Sequence, residues 1–280
     1  MANSLCMKSV ILSFLTRTSV AFALIITAQA AQIYTLGGSG NFVGNTSFGV
    51  IDSVTGAYSV IDADMGGAFL NLAPAPNNAG TFYTVGAGTG DLFHMDESGN
   101  LSSSIGSTGV GTMFGLAYRA SDNIFYGCSY NSDMFGTVNP TTAAWTETTL
   151  SQGTSVPAGG HFAILDDVWY ATWTDGTFGS VTFNSPVFST IGSNSLYSEM
   201  VLATDGTTLN GIAGAHSSGG AKLYSINIAN GSLTTIASIT GGAPQYYFGA
   251  GIAAVPEPST CALLGLGGVT LLLIARRKKA

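Results

Sequence analysis

The chain has 280 residues, with 15 acidic and 8 basic side chains, a net charge of −7 and 38 glycines. Sparse charge and plentiful glycine favour tight turns between strands over helices, and the acidic balance excludes electrostatic capture of nucleic acid or anionic lipid. Of the cysteines, Cys6 falls in the first segment and Cys261 in the last, so Cys128 has no partner within the central region.

In chain order, the first element is an export signal. Lys8 and Arg17 precede an apolar stretch, Thr18 to Thr27, which ends in Ala28-Gln29-Ala30. A basic start, an apolar run and small residues at the cut predict a signal helix within residues 1–30, read by the Sec export machinery and cleaved before Ala31. Only Arg119 and Lys222 are basic in residues 31–254, against fourteen acids, so the domain that follows is near −12.

That domain repeats. An apolar residue, Asp or Asn, a turn, then an apolar or aromatic residue and Ser/Thr recur at Ile51-Asp52, Met95-Asp96, Val138-Asn139, Val181-Thr182 and Ile226-Asn227. The leading residues are 44, 43, 43 and 45 apart. An aromatic-Tyr series keeps the same beat at Ile33-Tyr34, Phe82-Tyr83, Phe125-Tyr126, Trp169-Tyr170 and Leu209-Asn210. So does an apolar-Ala series at Leu72-Ala73, Leu116-Ala117, Phe162-Ala163, Leu202-Ala203 and Ile252-Ala253. Four short strands per roughly 44 residues predict an all-β, five-bladed β-propeller over residues 31–254. The domain opens on a second strand and closes on a first strand, so pairing the two completes one blade and removes the open edges.

First strands line the channel of such a ring. The positions expected there are Asn71, Gly115, His161, Val201 and Gly251, one histidine and one amide among small or apolar groups. That set builds neither a metal ring nor a carboxylate pair, so no catalytic residue, metal or cofactor is expected. His94 and His216 fall at other strand phases. Asp62-x-Asp64 and Asp96-Glu97 lack the spacing of a calcium loop. The loops on one face bring aromatic residues beside amides and carboxylates. Tyr130, Trp173, Tyr197 and Tyr246 are the candidate ligand face, suited to the apolar planes of sugar rings.

The last element is the most specific. Pro256-Glu257-Pro258 leads into an apolar run from Thr260 to Ala275 and then Arg276-Arg277-Lys278-Lys279. The prolines keep the chain extended. The run of 16 residues predicts a short transmembrane helix, and the four cations hold its end on the cytoplasmic side. Residues 255–280 resemble the PEP-CTERM sorting signal of exported bacterial proteins. The resemblance implies processing near Pro256, Glu257 and Pro258 by an exosortase-type membrane transpeptidase. It further implies an inner-membrane intermediate, with final display at the cell surface or release outside the cell. The expected function is a non-enzymatic binding or structural propeller, with extracellular polysaccharide as its candidate partner. A secreted propeller enzyme of lyase, glycosidase or lactonase type is the alternative.

Overall fold

A computed structural model describes residues 31–39, 44–75, 80–129, 135–148, 160–183, 187–216 and 220–252. The signal helix expected in 1–30 and the segment 255–280, with its expected membrane helix, lie outside the described residues. Among those residues no helix is long and apolar enough to cross a membrane.

Strands β1 (Gln32–Gly38), β2 (Ser47–Asp52) and β3 (Tyr58–Asp62) begin the first sheet. The second holds β4 (Phe69–Pro74), β5 (Thr81–Gly86), β6 (Asp91–Asp96) and β7 (Gly106–Ser107). The third holds β8 (Met113–Arg119), β9 (Ile124–Ser129), β10 (Phe135–Val138) and β11 (Trp145–Thr148). The fourth holds β12 (His161–Leu165), β13 (Val168–Thr172), β14 (Thr177–Thr182) and β15 (Phe188–Ser193). After a 3-10 turn at Ser195–Glu199 come β16 (Met200–Thr204), β17 (Leu209–Ala213), β18 (Lys222–Ile226) and β19 (Leu233–Ser238). The last strand, β20 (Tyr246–Ile252), pairs antiparallel with β1, so the first sheet reads β20-β1-β2-β3. Each sheet is a blade, and the protein is a five-bladed propeller closed by its terminal strands.

The repeated phrases become ladder positions. Ile51 faces Tyr58, Val138 faces Trp145, Val181 faces Phe188 and Ile226 faces Leu233, while Met95 bridges Leu101. The second residue of the aromatic series sits opposite the small residue of the inner strand in every blade: Tyr83 with Ala73, Tyr126 with Ala117, Tyr170 with Ala163, and Asn210 with Ala203. In the first blade Tyr34 faces Gly251, and Ile252 faces Ile33. The fifth copy of the apolar-Ala phrase is therefore Ala250-Gly251, two residues before the Ile252-Ala253 expected from the sequence. Space explains the glycine: a Cβ at residue 251 would stand 2.7 Å from the Leu72 carbonyl oxygen of the next inner strand.

The turns between third and fourth strands follow from their leading polar residue. Asp52 accepts hydrogen bonds from the amides of Val54 (3.0 Å) and Thr55 (2.7 Å), and Asp96 from those of Ser98 (2.9 Å) and Asn100 (3.0 Å). Asn139 and Asn227 do the same in their blades. Gly56, Gly99 and Gly231 supply the positive φ that these turns need, and Ala143 carries it at +60° in blade three.

Apolar cores fill the seams between successive blades. Ile33, Ile51 and Tyr58 pack with Ile212 and Leu223 between blades one and five. Phe48 meets Phe82 and Met95 between blades one and two, and Val85 meets Phe125 between two and three. Phe135 meets Trp169 between three and four, and Phe178 meets Met200 between four and five. The inner strands β4, β8, β12, β16 and β20 touch one another in a closed cycle. No blade buries both faces alone, so closure is what removes the last apolar face from water.

Candidate functional site

The inner strands enclose a cavity of about 110 Å³, walled mainly by Leu72, Leu116, Phe162, Leu202 and Ala250 with their neighbours. Ligand pockets commonly occupy roughly 300–1,000 Å³, so this space suits a few water molecules. Toward the end where the inner strands begin, the wall carries Asn71, His161, Val201 and Gly249. Gly249 stands where the sequence suggested Gly251, by the same two-residue displacement. Gly115 is covered by its neighbour: a Cβ there would lie 1.3 Å from Cδ2 of Phe162.

Asn71 is buried and adopts φ +65° at a bulge between β4 and β5. Its Nδ2 donates to the Met113 carbonyl at 2.7 Å, tying blade two to blade three. Asparagine tolerates this left-handed backbone because its side chain is short and polar. Gly249 passes so close that a Cβ would stand 2.7 Å from the Asn71 Cα. His161 sets its ring edge-to-face with Phe114, centroids 5.9 Å apart. Burial lowers its pKa to about 4, because the cation would lose its hydration without gaining a counter-ion. The imidazole is neutral at pH 7 and can exchange hydrogen bonds with channel water.

Of the expected ligand rings, Trp173, Tyr197 and Tyr246 are described, and the first two are buried. Trp173 is fully buried between blades three and four, edge-on to Phe188 at 4.4 Å and to Phe162 at 6.3 Å. Tyr197 is also buried; it stacks on Phe178 at 5.2 Å and donates its hydroxyl to the Gly231 carbonyl of blade five. Burial raises its pKa to about 12. Both rings seal seams, where apolar area is worth most, so neither presents a plane to a sugar. Tyr246 keeps part of its surface and lies beside exposed His216, ring centroids 4.8 Å apart. Tyr130 lies outside the described residues.

Sequence reasoning missed one polar cluster. The Arg119 Nε meets Asp167 Oδ1 at 3.2 Å across the seam between blades three and four. Its Nη1 lies 3.2 Å from Asp122 Oδ2, and the guanidinium sits 4.1 Å from the Phe183 ring centroid. Ser121 and Tyr126 join by donating to Asp167 and Asp122 at 2.6 and 2.7 Å. The available signal was scarcity: Arg119 is one of two cations in the domain. Elsewhere the carboxylates serve turns. Asp62 accepts from the Asp64 amide, and Asp64 from the Gly66 amide and from Asn45 Nδ2.

Residues 254–279 match the model of the PEP-CTERM protein-sorting motif. The chain carries a PEP-CTERM sorting signal. That signal implies export and membrane-associated sorting by an exosortase. Comparison with curated proteins found no match. Among solved structures, the ring is similar to a structural-genomics protein of unknown function from Bacteroides thetaiotaomicron. Identity is 13%, coverage is 81% of this chain and 68% of that one, and the TM-score is 0.52. It is also similar to a chain of a nidogen/laminin complex, at 9% identity, 79% and 98% coverage and a TM-score of 0.50. Likeness at these identities concerns the fold alone.

Proposed function

We propose that this PEP-CTERM protein is a non-enzymatic structural or binding propeller, displayed at the cell surface or released into the extracellular matrix after sorting. The observation that carries the reading is the sorting signal joined to a ring whose axial cavity is small and mostly apolar-walled. Its polar end holds one amide and one imidazole kept neutral by burial. Such a wall supplies rigidity and a few water sites. Pro256, Glu257 and Pro258 act as the recognised stretch, and Arg276, Arg277, Lys278 and Lys279 orient the segment in the membrane. Replacing Pro256, Glu257 and Pro258 with alanine should trap the longer precursor in the inner membrane. An unchanged mature mass in the host would overturn the sorting step.

Association with extracellular polysaccharide is the binding role we favour, and it now centres on Tyr246 and His216. A half-buried ring beside an exposed imidazole offers a stacking plane with an adjacent hydrogen-bonding group. Co-sedimentation of the protein with host polysaccharide tests this. Tyr246→Ala should weaken retention severalfold, and equal retention of both forms would remove the polysaccharide role.

A further inference from the structure

The axis of the propeller holds two joined pockets. The inner strands β4, β8, β12, β16 and β20 each stand at the end of their sheet, so one backbone edge of each is left out of the ladders. Leu72 shows where that edge goes. The register of β4 on β5 skips from Leu70 to Ala73. A Cβ on Gly249 would stand 2.8 Å from the Leu72 amide nitrogen, and one on Gly251 2.7 Å from its carbonyl oxygen. The axial wall therefore sets main-chain polar groups between apolar side chains.

Leu72, Leu116, Phe162, Leu202 and Ala250 border both pockets. On one side lies the cavity of about 110 Å³, and on the other a pocket of about 10 Å³ bordered by Asn71 and His161. A water needs roughly 10–15 Å³, so the small pocket has room for a single polar atom. An apolar cavity of about 150 Å³ accommodates benzene. In proportion, the larger pocket takes a chain of about four carbons. Among the described residues, no Asp, Glu, Lys or Arg borders either pocket, so an ion there would lose its hydration without a counter-charge. His161 lies deep in the protein yet keeps accessible surface on the small pocket. Its neutral imidazole offers one donor and one acceptor. Asn71 commits its Nδ2 to the Met113 carbonyl, which leaves the imidazole as the side chain there that can do both.

We propose that the axial channel binds a short unbranched alcohol, its hydroxyl against His161 and its chain among Leu72, Leu116, Phe162 and Leu202. A hydroxyl has the size of the one water that the small pocket admits and, like water, both donates and accepts. A carboxylate or a sugar ring is too large for that pocket, and an ammonium brings a charge that nothing in the wall offsets. The chain displaces waters that the apolar side chains bond poorly, which favours binding. For five non-hydrogen atoms the dissociation constant is about 1 mM.

Histidine-ring NMR of the full chain in detergent, titrated with 1-butanol at pH 7, tests the proposal. The His161 Cε1–H signal should shift and saturate with a midpoint of about 1 mM, while those of His94 and His216 stay in place. Butyrate and butylamine at equal concentration should leave His161 unmoved. Ala250→Leu fills the border between the pockets, where blade four carries Phe162 at the matching position. It should weaken binding at least tenfold, with the melting temperature verifying the fold. If that variant does not fold, the charged analogues decide. A His161 signal that drifts without saturating up to about 20 mM, or moves equally with the charged analogues, overturns the proposal. So do equal shifts at all three histidines, or unchanged affinity in folded Ala250→Leu. Neither Tyr246 nor the sorting signal enters this readout, so its failure would leave the polysaccharide and sorting readings untouched.

Discussion

Gly115→Ala tests how the inner strands are seated. The added Cβ would fall 1.3 Å from Cδ2 and 1.8 Å from Cε2 of Phe162, so the ring must move by about 2 Å to reach van der Waals contact. Phe162 is 7% exposed and packs against Trp169 at 4.4 Å, so that movement reaches through the seam between blades three and four. Removing a buried phenylalanine costs roughly 3–5 kcal/mol and overpacking roughly 1–3 kcal/mol. A displaced but retained ring should cost about 2–3 kcal/mol. For a domain of this size that lowers the melting temperature by about 5–10 °C. Residue 115 is not in the left-handed backbone region, so alanine adds no strain of its own. The decisive measurement is a double-mutant cycle by urea unfolding. On a Phe162→Ala background, Gly115→Ala should cost less than about 1 kcal/mol. An equal cost with and without the phenylalanine ring would refute the close approach of β8 and β12.

Two further outcomes follow from the channel mouth. Asn71→Ala strands the Met113 carbonyl and places an alanine at φ +65°, which together should cost about 2–4 kcal/mol. Asn71→Gly keeps the backbone relaxed and should cost about 1 kcal/mol less; equal melting temperatures for the two would contradict the left-handed bulge. For His161, the unfolded imidazole binds its proton near pH 6.5 and the folded one near 4. Between those values the unfolded chain holds more protons, so stability falls as pH drops from 6.5 to 4, by up to roughly 3 kcal/mol. His161→Gln should flatten the stability curve in that window. The carboxylates held low by hydrogen bonds, Asp96 and Asp205 among them, weaken the fold at lower pH in both proteins. Parallel curves from pH 6.5 to 4 would exclude burial of His161 as a neutral ring.

The blade count and the closing blade were legible because the repeated phrases encode register. A polar residue that caps a hairpin must keep a fixed distance from the apolar pair it joins, as Ile51 and Tyr58 or Ile226 and Leu233 do. The fifth apolar-Ala phrase was misplaced by two residues because close approach to Asn71 and Leu72 had replaced its side chains by Gly249 and Gly251. Steric demand had erased the hydrophobic signal at that place. Trp173 and Tyr197 were misjudged for another reason. Both lie between strands, where neither two- nor 3.6-residue periodicity operates, and an aromatic residue there reads alike whether it caps a seam or faces water. A recurrence at Ile61, Ile105, Ile191 and Ile236 passed unread, because its last two members differ in exposure only through what the next blade offers.

Closure also bears on sorting. β20 is the inner strand of blade one and supplies Tyr247, Ala250 and Ile252 to one seam and Phe248 to the next. Its last described residue, Ile252, is followed by only three residues before Pro256. Three extended residues reach at most about 10 Å. β1 must await a partner some 210 residues away in sequence, a non-local pairing of the kind that folds late. Pairing of β20 with β1 therefore fixes the chain up to Ile252 in the ring. Every strand of the propeller precedes Pro256, so processing at or beyond that residue would leave the ring and both seams of blade one intact.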